Sequence, residues 1–289
     1  MTGANASYYK LVAHPGRGKA IVLRTLVYLA AAITLTVLLF LVGYILVKGV
    51  PYLTPSLFAW EYTSENVSMM PAIINTVLMT VLSLLIAAPL GIFAAVYLVE
   101  YAKRGNRFVS AVRVTAETLA GIPSIVYGLF GLLFFVTRLQ WGMSLLAGAF
   151  TLAVMILPLI MRTTEEALKA VPDMYREGSF GLGAGRLRTV FSIVLPAAVP
   201  GILAGVILGI GRIVGETAAL IYTAGTVAKV PENLLSSTRT LSVHMYSLAR
   251  EGLHINETYA TAVVLLVVVV GINALSSMVA RRLIKRNGI

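Results

Sequence analysis

The sequence predicts an all-α protein that crosses a membrane six times, and three observations carry that prediction. Hydrophobic residues make up 58% of the chain and charged residues only 12%, with a mean hydropathy of +0.88, whereas a soluble domain carries roughly 25% charged residues. Apolar runs recur six times at about the 20 residues that span a hydrocarbon core. Lysine and arginine gather in alternate connections, as the positive-inside rule requires of a polytopic protein. The 289 residues include no cysteine, which excludes a disulfide framework and thiolate metal sites. The net charge of +11 is spread over short connections. It forms no single basic face and no aromatic-basic interleaving, so nucleic acid is not an expected partner.

Taken in order, residues 1–24 form a basic tail with Lys10, Arg17 and Lys19. Residues 25–47 are a nearly unbroken apolar run. It is longer than the roughly 7–15 residues of a signal-peptide core, so it is expected to remain as an anchor helix. Lys48 to Met70 is polar and aromatic, with Trp60, Glu61, Tyr62 and Glu65 suited to the opposite interface. The second span is expected over Pro71–Val99, entered through Asn75-Thr76. Its internal Pro89 and Gly91 are tolerable where neighbouring helices satisfy the backbone. A basic connection with Lys103, Arg104, Arg107 and Arg113 leads to a third span, Thr118–Val136, which contains GIPSIVYGLFGL. The short turn Arg138–Gly142 precedes a fourth span, Met143–Met161. A fifth span follows over Ala197–Tyr222, then a long polar segment, Thr223–Glu257, and a sixth span, Thr258–Ala280. Arg281, Arg282, Lys285 and Arg286 close the chain, and residues 283–289 are read as a tail. The second to sixth spans form one bundle, a core over residues 71–282. Both termini, the connection after the second span and the stretch Arg162–Pro196 hold most of the basic residues. They are therefore expected on the cytoplasmic side of a plasma membrane.

The stretch 162–196 is the largest island of polar chain on that side. Its charges alternate with apolar residues at helical intervals, Ala167, Ala170 and Val171, then Met174, Phe180 and Leu182. Thr163 or Thr164 can cap a first helix, with Glu165 and Glu166 near its positive end. Pro172 breaks that helix, and Asp173 can cap a second that ends in Gly181, Gly183 and Gly185. Two short helices and a glycine elbow on a membrane surface make a docking element.

Chemistry is concentrated in the fifth span, GILAGVILGIGRIVGETAAL. Gly201, Gly205 and Gly209 recur every fourth residue, so they share a helix face that another backbone can approach closely. Arg212 and Glu216 are also four apart, with Thr217 next. A charge in a spanning helix costs about 2.5–3.5 kcal/mol on insertion scales, so such residues face a cavity or a partner. Spacing leaves two readings open: an ion pair that locks helices, or an anion pathway in which Arg212 meets an oxyanion. In the second reading, Glu216 holds the guanidinium or accepts a hydrogen bond from a protonated oxyanion. With a helix starting near Pro196, Arg212 is expected past the midplane on the outer side.

GLGAG at 181–185 follows no strand, so it is not a dinucleotide loop, and no P-loop sequence occurs. His14, His244 and His254 lie far apart in polar segments, without metal-ligand spacing, and read as surface histidines. No catalytic residue and no metal site is expected.

The polar stretch resembles the cytoplasmic loop of the membrane subunits of type I ABC importers, whose pattern is E-A-A-x3-G-x9-I-x-L-P. Here Glu177, Gly178 and Ser179 fill its first positions, then Gly183, Ile193, Leu195 and Pro196, with all spacings kept. Small residues replace the two alanines, at a helix cost of up to about 1 kcal/mol for Gly178. GIPSIVYGLFGL and GRIVGETAAL further resemble the phosphate-specific members PstA and PstC, and LSVHMY before the last span favours PstA. The resemblance covers about Asn75 to Arg282. It implies a MetI-like permease fold working as a heterodimer with a PstC-like chain, and an Arg176–Pro196 segment that couples to a PstB-like ATPase dimer. It also implies supply by a PstS-like phosphate-binding protein, with ATP and magnesium bound by the ATPase rather than by this chain. By resemblance, Arg212 and Glu216 match a charged pair implicated in phosphate passage. The rival readings are a permease for molybdate, tungstate or sulfate, and a self-contained secondary transporter. The latter often shows paired broken helices in inverted repeats, and no second R-x-x-x-E span is present.

Overall fold

A computed structural model of the protein describes residues 17–103 and 105–286, and every regular element among them is a helix. Five helices are long and apolar enough to cross a membrane: Ala20–Tyr52, Met70–Tyr101, Leu145–Lys169, Arg186–Val214 and Ile255–Arg282. A sixth crossing is made if Arg107–Ala120 and Ser124–Arg138, bent by 103°, form one broken span. The chain divides into two units after Lys48. Most of the first is α1 (Arg17–Gly49), about 50 Å long at 1.5 Å per residue. It contains the whole expected anchor 25–47; of the expected tail, Lys10 and His14 lie outside the described residues.

The second unit is built on α5 (Leu145–Lys169), with α2 (Met70–Val96) and α8 (Leu195–Val214) against it. α2 runs parallel to α5: a Cβ on Gly91 would meet Ile160, and Gly148 faces Met79. α8 runs antiparallel. Gly201 faces Ala167 and Gly205 faces Thr163, closely enough that a Cβ on either would collide, whereas Gly209 meets Ile160 only at ordinary contact, 3.8 Å. Small residues thus set the α5–α8 approach at two of the three positions that the spacing singled out. The buried core between these helices includes Met79, Leu152, Met155, Ile156, Ile160, Ile213 and Leu220.

Boundaries differ from the sequence expectation in several places: α1 begins at Arg17, inside the expected tail, α11 runs on to Arg286, and three others have a clear local reason. The expected third span is cut by Gly121-Ile122-Pro123: Pro123 has no N–H and disfavours helix before it. α3 (Arg107–Ala120) therefore ends there and α4 (Ser124–Gly131) starts in a new direction. The fourth span does not stop at Met161, because α5 continues to Lys169. Thr163 consequently caps nothing; its Oγ1 bonds back to the carbonyls of Leu159 and Ile160. The fifth span begins not at Ala197 but at α7 (Arg186–Thr189), which continues through a π-helical turn, Val190–Val194, into α8. That wide turn relieves Pro196, whose missing N–H and ring clash with the preceding turn would otherwise break the helix. Only α6 (Asp173–Gly181) and its flanking turns remain of the expected 162–196 loop, with Pro172 at its N-cap and no side-chain cap from Asp173.

At the opposite end of the bundle, the polar segment before the last span folds back as α10 (Leu241–Glu251) against α11 (Ile255–Arg286) and α2. Asn75 donates to the carbonyls of Lys229 and Arg239, and the Leu241 N–H donates to Thr76 Oγ1. The Asn75-Thr76 entry of α2 thus anchors chain more than 150 residues away.

Candidate functional site

Arg212 is in the last turn of α8. Four residues up α8 correspond to four down α5 in the Gly201–Ala167 and Gly205–Thr163 contacts. Continuing that register puts Arg212 level with Ile156, near the middle of α5 rather than toward its outer end. There it closes a cavity of about 500 Å³ that runs along α5 as far as Lys169. The other charges lining the cavity are Arg113, Glu117, Arg162, Glu165, Glu166 and Lys169. Most neutralise one another: Glu165 bridges Arg113 at 2.7 Å and Lys169 at 2.6 Å, and Arg162 pairs with Glu166 at 3.1 Å. Arg212 has no hydrogen bond or ion pair among the described residues. The cavity therefore combines paired charges along one part of its length with one unpaired guanidinium among apolar wall residues such as Ala120, Pro158 and Leu159. A half-buried, permanently charged fork of donors level with the middle of α5 has the chemistry to hold an anion.

The structure separates Arg212 from Glu216, so they do not share a helix face. α8 ends at Val214, and Gly215-Glu216-Thr217 forms a break before α9 (Ala218–Thr223). Glycine at the C-cap is a poor helix former, and the freed Glu216 carbonyl is captured by Ser242 Oγ at 2.7 Å. The Glu216 carboxylate accepts from the Ala219 N–H at 3.2 Å, so it holds the first turn of α9. No Arg212–Glu216 ion pair forms among the described residues, which disposes of the helix-locking pair. Thr217 is the residue before α9, and its hydroxyl makes only a 3.5 Å contact with the Gly215 carbonyl.

At the end of α5, Arg176 on α6 reaches back into the bundle. Its guanidinium donates to Glu100 at 2.8 Å, to Asp173 at 3.1 Å and to the carbonyls of Leu168 and Val171. Hydrogen bonding to the Glu100 carboxylate raises the Arg176 pKa above its usual value. Ser179 is buried, its hydroxyl 2.8 Å from Thr189 Oγ1, which closes α6 on α7. Glu177 and Gly178 are exposed. Gly183 has a φ of +82°, a left-handed conformation that costs other L-residues roughly 1–2 kcal/mol. Leu195 and Pro196 open α8, partly buried. Beyond them the segment exposes Met174, Tyr175, Phe180, Leu187 and, at 91%, Leu182. Such an exposed apolar cluster on a charge-rich loop is suited to a protein contact.

Two further residues were not legible as special. Arg239 is 4% exposed and His244 0%, so His244 is not the surface histidine that its polar context suggests. Arg239 lies over the Tyr62 ring at 4.5 Å, and His244 meets the same ring edge-on. Burial, and then the neighbouring Arg239 charge, push the His244 pKa down to about 3, opposed by the backbone of Val67. The signal available was helical spacing: Leu241, His244 and Leu248 fall at i, i+3 and i+7 on one buried face of α10.

A bundle of helices long and apolar enough to cross a membrane, with a charge-lined cavity along α5, has the architecture of a membrane permease. Residues 87–288 match the family described as "Binding-protein-dependent transport system inner membrane component", and the chain belongs to that family. The probable ABC transporter permease protein YqgI of Bacillus subtilis (strain 168) is 34% identical over 245 residues, 78% of this chain and 81% of that protein. The phosphate transport system permease protein PstA of Pasteurella multocida (strain Pm70) is 39% identical over 202 residues, covering 69% and 71%. Among solved structures, a bacterial ABC transporter that imports alginate matches with a TM-score of 0.65 at 18% identity, over 91% of this chain and 98% of that one. The inward-facing MetNI methionine ABC transporter matches with a TM-score of 0.56 at 20% identity, over 74% and 94%. These structures show the fold, that of type I ABC importer permeases.

Proposed function

We propose that the chain is a permease subunit of an ATP-driven importer of inorganic phosphate. The observation that carries this reading is Arg212, unpaired among the described residues and level with the middle of α5, in a cavity whose other cations each contact a carboxylate. The naming of similar proteins as PstA supports phosphate as the anion. The basic connections favour a cytoplasmic position for the end bearing α6 and for both termini. There the exposed Met174, Tyr175, Phe180 and Leu182 seat in a separate PstB-like ATPase dimer, which binds ATP and magnesium; this chain hydrolyses no nucleotide. A PstC-like chain completes the permease as a heterodimer, and a PstS-like protein delivers phosphate at the α10 end.

The geometry suggests how force enters the bundle. Arg176 ties α6 to Glu100 at the end of the second span and to two carbonyls at the end of α5. A push on α6 therefore acts on both spans at once, and Gly201 and Gly205 let α8 shift closely along α5. ATP would favour one arrangement of the bundle and ADP the other, the differential binding that any two-state coupling needs. Phosphate would meet Arg212 in the state that opens its cavity. Glu216 acts here by holding α9 rather than by touching the anion. Replacing Arg212 with Gln in the assembled importer should abolish phosphate uptake while all subunits still copurify. Near-normal uptake by that variant contradicts the reading.

A further inference from the structure

A second cavity, of about 800 Å³, opens beside the first where the second span ends. Its size is within the roughly 300–1,000 Å³ of small-ligand sites. Five cations line it, Lys103, Arg107, Arg113, Lys169 and Arg176, against two carboxylates, Glu100 and Asp173. Both carboxylates are already committed to Arg176, and Glu165 beneath them to Arg113 and Lys169. Lys103 and Arg107 are left without an anionic partner among the described residues, and Arg113 keeps a buried Nε with no acceptor. The wall thus carries an excess of positive charge that the protein itself does not answer.

The place of this excess is informative. Lys103 and Arg107 follow directly on Tyr101, the last residue of a spanning helix, so they sit where lipid headgroups lie. The next helix turns the large apolar side chains of Phe108 and Val114 outward. We infer that this cavity binds a phosphate group, supplied either by the headgroup of an anionic phospholipid or by free phosphate at the membrane surface. Lys103, just past the end of the second span, and Arg107, at the start of α3, hold the charge. The occupant thereby ties the end of the second span to α3. This inference uses the inward orientation of the basic end and is independent of what passes Arg212.

The test uses the full chain carrying Arg212→Gln, so that the pathway contributes no anion binding. In nanodiscs of phosphatidylglycerol and phosphatidylcholine, native mass spectrometry reads retained phosphatidylglycerol; equilibrium dialysis reads radiolabelled inorganic phosphate. Adding Lys103→Gln with Arg107→Gln should weaken one of the two by roughly tenfold or more, given about 1 kcal/mol per surface cation. Adding Arg281→Gln with Arg282→Gln, two exposed cations elsewhere, should change neither more than twofold. Loss of phosphatidylglycerol assigns the site to lipid, and loss of inorganic phosphate assigns it to the free anion. Unchanged retention of both probes, or an equal loss in the control pair, overturns the inference.

Discussion

Arg176 Nη2 and Glu100 Oε1 are 2.8 Å apart, with side chains only 15% and 9% exposed, and they join α6 to the end of the second span. Removing one partner of a buried pair leaves the other charge uncompensated, at a cost of about 3–5 kcal/mol. Arg176→Met should therefore lower the thermal stability of the purified chain by about 3 kcal/mol. It should also uncouple ATP hydrolysis from uptake in the assembled importer. Wild-type stability and coupling in that variant would separate α6 from the mechanism.

The glycines of α8 make a sharper comparison. Gly205→Ala drives a Cβ into Thr163 and should destabilise by about 1–3 kcal/mol, the usual cost of overpacking. Gly209→Ala has ordinary clearance and should be neutral or stabilising by up to about 1 kcal/mol through helix propensity. Melting of the two variants in detergent distinguishes them; equal behaviour would deny the close α5–α8 approach.

Two glycines of the coupling motif should part in the same way. Gly178 is exposed in α6 with open space about it, so Gly178→Ala should retain full transport and gain up to about 1 kcal/mol. Gly183→Ala must hold a φ of +82° and should cost about 1–2 kcal/mol while misplacing the elbow. Copurification of the ATPase with each variant checks this.

His244 predicts a pH dependence. Its pKa is about 3 in the folded chain against an ordinary 6.5. Below pH 6.5 the unfolded chain takes up a proton that the folded chain refuses. Its contribution to stability is therefore complete above pH 6.5 and is lost as the pH falls toward 3, at up to about 1.4 kcal/mol per unit. Unfolding followed from pH 7 to pH 5 should show this slope, and His244→Leu should flatten it. An unchanged slope would place the titration elsewhere.

The sequence was informative where the physics is periodic or local. Hydropathy located the spans because a hydrocarbon core admits nothing else at that length, and the spacing of Glu177, Gly183 and Pro196 runs from α6 through its glycine turn to the start of α8. It was less informative where one residue redirects the chain. Pro123 parts the helices Arg107–Ala120 and Ser124–Arg138, which differ in direction by 103°, and the break after Gly215 takes Glu216 away from Arg212. Both lie inside apolar runs that a hydropathy window reads as continuous. The continuation of α5 to Lys169 was hidden by its charges, which are satisfied by Arg113 from another helix and by one another. The buried Arg239 and His244 depend on Asn75 and Tyr62, more than 150 residues away, which no local pattern reports.

The central claim is that phosphate passes Arg212 only when an ATPase acts on α6. Its most direct test is uptake of labelled phosphate into liposomes that hold this chain with its partner permease, compared with and without the ATPase and ATP. The account predicts uptake only when both are present, and none with Arg212→Gln. Sustained uptake by the permease without any ATPase would contradict it.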